Sequence, residues 1–216
     1  MRRFAMSLKL PAFLLPLAVA AAIPGAPLAE EPAAGRPRQA MVAAANPVAV
    51  EAGLDVLRRG GSALDAAVAV QVMLGLVEPQ SSGIGGGAFI MYFDAATGEV
   101  DAYNGRETAP AGATPDMFLD DAGRPLPRSE AMLSGRASGA PGAMAVMALA
   151  HQAHGRLPWN NLFDGTIAVA EGGFEVTPRL AEHIHGTFPQ ASAPDVRAYF
   201  SRPDGSPMQI GDRIVN

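Results

Sequence analysis

The sequence contains no cysteine, which excludes disulfides, thiolate metal sites and a lipoprotein anchor and leaves packing alone to stabilise the fold. Charge is scarce: 17% of the 216 residues are charged, the net charge is −5, and no block of lysines or arginines occurs. A mildly acidic chain without a basic cluster has no electrostatic reason to seek phosphate backbones, so nucleic acid is excluded as a partner. Internal repeats are absent too. What is present is a 49% hydrophobic composition, enough for one good-sized core and too much for a disordered polymer.

The amino terminus has the pattern of a secretory signal: Arg2, Arg3 and Lys9 precede an uncharged apolar stretch over 10–23. At roughly 14 residues that stretch is shorter than the ~20 of a membrane-spanning helix, and Pro11 and Pro16 interrupt it. Cleavage sites are offered by Ala18-Val19-Ala20, by Ala20-Ala21-Ala22 and by Leu28-Ala29 before Glu30. The expected plan is a signal peptide over 1–29, a flexible Pro- and Ala-containing linker over 30–40, and a folded part over 41–216. Export would place that part in the periplasm or outside the cell, with no membrane attachment after cleavage.

Within the folded part, 41–45 reads as a short strand. Asn46-Pro47 then starts a helix whose face is Ala49, Ala52 and Val56, closed by Gly60-Gly61. Ser62 with Asp65 three residues later resembles a capping box, and 63–77 is almost entirely apolar, which predicts a buried helix. Pro79 ends it. A Ser- and Gly-rich turn over 80–87 leads to a hairpin of strands over 88–93 and 99–103. The 110–127 segment reads as a loop that Met117-Phe118-Leu119 pins to the core. Further helices are predicted over 143–154, over 161–171 and from Thr177-Pro178 onward, followed by a tail over 191–216 without strong periodicity.

Several residues could carry chemistry. A glycine run can cradle phosphate, but such loops follow a strand and open a helix, whereas here a helix precedes the glycines and a strand follows. Close backbone approach and positive φ angles are the better local reading. Arg106, just past a strand, has the forked guanidinium that suits a carboxylate, although an arginine beside a glutamate such as Glu107 is more often an ordinary ion pair. His151 and His154, and His183 and His185, are spaced closely enough to share a metal, yet no H-E-x-x-H pattern occurs and His154 suits a helix carboxyl terminus. Ser81 and Ser82 lack the Gly-x-Ser-x-Gly elbow of a serine nucleophile and read as turn formers.

Five ordered segments carry a more specific signal: Gly60-Gly61-Ser62-Ala63-Leu64-Asp65-Ala66-Ala67, Gly85-Gly86-Gly87-Ala88-Phe89, Arg106-Glu107-Thr108-Ala109-Pro110, Ser138-Gly139-Ala140-Pro141-Gly142 and Ala168-Val169-Ala170-Glu171-Gly172-Gly173-Phe174. Together they resemble the large-subunit core of the γ-glutamyltransferases, also called γ-glutamyltranspeptidases or glutathione hydrolases, from about Met41 onward. Two local departures are Gly105, where an aromatic often precedes the arginine, and Gly165, where a proline is common.

The resemblance implies an α/β fold, here a fragment of the four-layer αββα sandwich of amino-terminal nucleophile (Ntn) hydrolases. It implies a self-cleaving zymogen whose freed threonine attacks γ-glutamyl amides, its own amine acting as base, with water or an amino-acid or peptide acceptor taking the glutamyl group from the acyl-enzyme. The substrate class is glutathione and other γ-glutamyl compounds. No cofactor or metal is implied. Arg106 is the one substrate contact that carries over, as the α-carboxylate clamp. No catalytic residue carries over: the nucleophile belongs to a small subunit cut from the same precursor, and Thr108, Thr114, Thr166, Thr177 and Thr187 do not stand in its context. By this resemblance the 216 residues alone are inactive. Alternatives are a related Ntn amide acylase and a non-catalytic periplasmic ligand-binding protein.

Overall fold

A computed structural model describes residues 40–186 and 189–216; the expected signal peptide, the linker except Ala40, and Thr187 lie outside the described residues. Helix α1 (Pro47–Arg58) starts where Asn46 Oδ1 accepts a hydrogen bond from the Val48 N–H at 2.9 Å. Its Ala49 and Val56 are buried as predicted. Helix α2 (Ala63–Val77) opens with a complete capping box: Ser62 Oγ accepts from the Asp65 N–H at 3.1 Å and Asp65 Oδ2 from the Ser62 N–H at 2.9 Å. Leu64, Val68, Met73 and Val77 of α2 are buried, while Ala63 and Ala67 face solvent, so burial covers most of its circumference.

Strands β1 (Ala88–Asp94) and β2 (Glu99–Gly105) form the expected antiparallel hairpin, in register from Ala88↔Gly105 to Asp94↔Glu99. The 41–45 segment is a correction. It alternates between exposed and half-buried residues, as a strand would, but pairs with no other strand among the described residues, and a strand needs a partner to complete its hydrogen bonds. The loop over 110–127 is also not pinned as predicted. Phe118 is exposed, Met117 and Leu119 are only half-buried, and the segment closes on itself through the Leu119↔Pro125 bridge and Asp120 with Arg124.

Helix α3 (Arg128–Leu133) buries nothing and was not legible from periodicity. Helix α4 (Ala143–His154) occupies its predicted span. The helix predicted over 161–171 is divided into a 3-10 turn (Trp159–Leu162) and helix α5 (Asp164–Gly172). The i→i+3 bond from the Phe163 N–H to Asn160 O gives way there to the i→i+4 bond from the Ile167 N–H to Phe163 O. Strand β3 (Phe174–Glu175) follows, then helix α6 (Pro178–Ile184), whose start is capped by Thr177 Oγ1. The tail contains helix α7 (Pro194–Tyr199) and strand β4 (Arg213–Ile214), which pairs antiparallel with β3.

The described residues thus form a mixed α/β arrangement whose sheets are two antiparallel pairs. Helix α2 is its spine. The carboxyl-terminal half, through Met73 and Val77, packs with Ala49, Leu180 and Ile214, and the amino-terminal half, through Ala66, Val68 and Ala69, packs with Val56, Met147 and Leu162. The hairpin lies against α4 on one face, where Tyr92 stacks on His154 with ring centroids 3.9 Å apart. Its other face presents Phe89, Met91, Phe93 and Val100 to solvent. Among the described residues no helix is long and apolar enough to cross a membrane.

Candidate functional site

Strand β2 runs out at Gly105, which is buried against the first turn of α4. A Cβ there would strike Val146, and one on Gly142 would strike the Gly105 carbonyl, so both glycines are required by close approach. The aromatic expected before the arginine could not fit this contact without shifting α4. From that junction three segments are stitched together. Gly86 O accepts from the N–H groups of Gly142 and Ala143 at 3.1 and 3.0 Å, and Thr108 and Ala140 exchange backbone hydrogen bonds at 3.3 and 2.8 Å. The Ser-Gly turn, the end of the hairpin and the start of α4 therefore meet beside Arg106.

Glu107 sits in the seat these segments form. A Cβ on Gly87 would lie 2.5 Å from Glu107 Oε2 and 2.8 Å from both its Cδ and its backbone nitrogen, and one on Gly139 would lie 3.1 Å from Glu107 Cβ. Arg106 Nη1 stands 2.9 Å from Glu107 Oε2. The contact is a charge pairing without hydrogen-bond alignment, because Glu107 Oε2 is buried with no hydrogen-bond partner among the described residues. The Arg106 side chain itself is 67% exposed and its backbone N–H is tied to Asn104 Oδ1 at 2.9 Å. The structure thus contains the ion pair that was the plainer reading of Arg106, and it leaves the guanidinium facing solvent, where a planar carboxylate can approach its fork.

The close-approach half of the glycine expectation holds and the positive-φ half does not. Positive φ among the described glycines occurs at Gly60, Gly98, Gly123, Gly173, Gly205 and Gly211, none of them in the turn. Gly83 instead packs onto α2, with its Cα 3.7 Å from where a Gly75 Cβ would stand. The two serines are turn formers. Both N–H groups donate to Glu78 O at 3.0 Å, and Ser81 Oγ accepts from Arg179 Nη2 at 3.0 Å, a donor rather than a base.

The histidine pairs do not converge. His151 Nε2 lies 2.9 Å from Leu157 O and 3.4 Å from Asp65 Oδ1, whereas His154 Nε2 lies 2.7 Å from Tyr103 Oη and 3.3 Å from Asp101 Oδ2. His183 Nδ1 meets Arg179 O and His185 Nε2 meets Met208 O. No group of three or more His, Cys, Asp or Glu among the described residues could hold a metal ion.

Two buried carboxylates mark the ends of α2. Burial pushes the Asp65 carboxyl up, but the backbone N–H groups of Ser62, Arg156 and Leu157, with His151 nearby, outweigh it and hold the group below its ordinary 3.8. Glu78, 2% exposed, accepts Asn46 Nδ2 on Oε1 at 2.9 Å, and Gln80 Nε2 and Arg179 Nη1 on Oε2 at 2.6 and 3.3 Å. Sequence reasoning missed the Glu78–Arg179 pair. The available signal was an acid at the carboxyl end of a helix, where the macrodipole disfavours it unless another group holds it.

Comparison with known proteins is consistent with this arrangement. The Gamma-glutamyltranspeptidase family profile matches residues 49–216. The glutathione hydrolase proenzyme of Bacillus subtilis strain 168 is 42% identical over 178 residues, 82% of this chain and 30% of that protein. The glutathione hydrolase proenzyme of Escherichia coli K12 is 38% identical over 182 residues, 83% of this chain and 31% of that protein. Among solved structures, the γ-glutamyltranspeptidase of Helicobacter pylori superposes with a TM-score of 0.75 at 34% identity, covering 82% of this chain and 51% of that one. The chain spans about a third of the length of the curated relatives it matches. With the family profile running from within α1 through the glycine seat and Arg106 to Asn216, this chain belongs to the γ-glutamyltranspeptidase family.

Proposed function

We propose that these residues are the amino-terminal part of the large subunit of an exported γ-glutamyltransferase, which transfers or hydrolyses the γ-glutamyl group of glutathione and related compounds. Residues 1–29 are then the signal peptide, 30–40 the linker, and 41–216 part of an Ntn-hydrolase αββα sandwich completed by the rest of a self-processed precursor. Its nucleophilic threonine lies outside this chain, in a small subunit cut from the same zymogen. The threonine hydroxyl attacks the γ-glutamyl carbonyl, its amine takes the proton and passes it to the leaving amine as the amide bond breaks, and water or an acceptor amine then releases the acyl group from the ester. No cofactor takes part. The 216 residues alone do not turn over substrate, and the processed enzyme works in the periplasm or outside the cell.

The observation that carries this reading is the exposed Arg106 guanidinium, held at the end of β2 beside a Glu107 seated among glycines. It fits the α-carboxylate of a glutamyl donor, because the fork offers two parallel charge-assisted hydrogen bonds. In the full-length protein, Arg106→Ala should raise the Michaelis constant for a γ-glutamyl anilide by about 10- to 100-fold, the worth of such a contact. Arg106→Lys should recover little of it, since a point charge lacks the fork. Donor kinetics unchanged by Arg106→Ala would remove this residue from the site.

A further inference from the structure

Glu78 is a buried carboxylate that the proposed chemistry does not use. Burying a charge is costly unless several donors compensate it, and here the donors come from three separate places. Asn46 is the cap of α1, Gln80 belongs to the Ser-Gly turn, and Arg179 stands in the first turn of α6, 101 residues away. Gln80 points its Nε2 at the carboxylate and leaves its Oε1 buried without a hydrogen-bond partner among the described residues. The turn accepts an orphaned acceptor in order to supply Glu78 with a donor.

Arg179 passes the constraint on. One guanidinium nitrogen meets Glu78 Oε2 and the other donates to Ser81 Oγ, so the carboxylate orients a fork that clamps the first residues of the turn. The Glu78 carbonyl meanwhile accepts from the N–H groups of Ser81 and Ser82. Beyond these contacts the chain folds back over Gly75 and delivers Gly86 and Gly87 to the hydrogen bonds of α4 and to the seat of Glu107. The turn is therefore fastened at both ends by glutamates, by Glu78 at its start and by the packing of Glu107 at its finish.

We propose that Glu78 is a positioning residue for the donor site. Acting through Arg179 and Ser81, it sets the path of the Ser-Gly turn, and thereby the seat of Glu107 and the direction of the Arg106 guanidinium. The link to donor binding rests on the function proposed above, whereas the control of the turn does not.

The test uses the full-length protein with Glu78→Gln, Arg179→Met and the double variant, read by amide hydrogen exchange across residues 81–87 and by γ-glutamyl anilide kinetics. Asp65→Asn is the control, a buried carboxylate at the other end of α2 that makes no contact with the turn. Glu78→Gln and Arg179→Met should each speed exchange of the turn amides and raise the donor Michaelis constant by about tenfold, with kcat changed by less than about twofold. The double variant should be no worse than the poorer single one. Asp65→Asn should lower the melting temperature without moving either readout. Arg179 is half-exposed, so its variant keeps the test usable if Glu78→Gln fails to fold. Exchange of 81–87 unaltered in Arg179→Met would overturn the proposal, as would faster exchange with an unchanged Michaelis constant. A parent protein without γ-glutamyl turnover, whose turn still loosens in Arg179→Met, would overturn the functional reading and leave Glu78 as the anchor of the turn.

Discussion

The two ends of α2 are each held by a buried carboxylate, and the donors that reach them differ in kind. Asp65 accepts hydrogen bonds from the backbone N–H groups of Ser62, Arg156 and Leu157. Glu78 accepts from the side chains of Asn46, Gln80 and Arg179. Backbone donors are fixed by the course of the chain, so Asp65 Oδ2 ties the amino-terminal end of the helix to the 156–157 segment, while Oδ1 is buried without a hydrogen-bond partner among the described residues, 3.4 Å from His151 Nε2. Side-chain donors have ends of their own, and Arg179 uses its second nitrogen to reach the turn. One carboxylate closes a fold while the other transmits position, although both interrupt the same apolar helix or its cap.

The largest break in this comparison should come from Asp65→Ala. It strands three backbone donors, one buried and two part-buried, and removes the side-chain arm of the capping box, at a cost of about 3–5 kcal/mol, measurable by denaturant unfolding. Protonating Asp65 is a milder form of the same break. Its folded-state pKa lies below the ordinary 3.8, so its contribution is complete above that value and is lost as pH falls through the lower folded one. Acid unfolding of the parent should therefore be steeper than that of Asp65→Asn, and parallel curves would contradict the assignment.

At the turn, Gly87→Ala should cost about 1–3 kcal/mol by overpacking, because its Cβ meets the Glu107 carboxylate and backbone. Unlike Asp65→Ala, it should raise the donor Michaelis constant out of proportion to the melting temperature. The smallest effect belongs to a region that neither carboxylate reaches. In the 216-residue chain expressed alone, Phe93→Thr on the outward face of the hairpin should change stability by no more than about 0.5 kcal/mol while reducing self-association in sedimentation, since Phe93 is 62% exposed within an apolar face.

Legibility followed the range of the interactions. The starts of α1, α2 and α6 could be read from Asn46-Pro47, from Ser62 with Asp65 and from Thr177-Pro178, because a cap is a contact between residues two or three apart. The hairpin was legible for the same reason. Helix α7 was not, since it buries no residue and so has no apolar period, and β3 and β4 are two residues each. The extended 41–45 segment shows the converse, a strand-like pattern with no partner among the described residues. At the site, Arg106 was found through its motif, whereas the arrangement that holds it joins Gly86 and Gly87 to Glu107, Gly139 and Gly142.

By itself the sequence determined the caps of α1, α2 and α6, the span of α4, the hairpin, the family motifs and the arginine that a carboxylate would seek, since each is written in neighbouring residues. Only the tertiary structure decided which partners the buried acids take. Asp65 meets Arg156 across 91 positions and Glu78 meets Arg179 across 101. Such pairings depend on how α2 packs against α4 and α6, and that packing comes from apolar contacts that carry no directional record in the order of the residues.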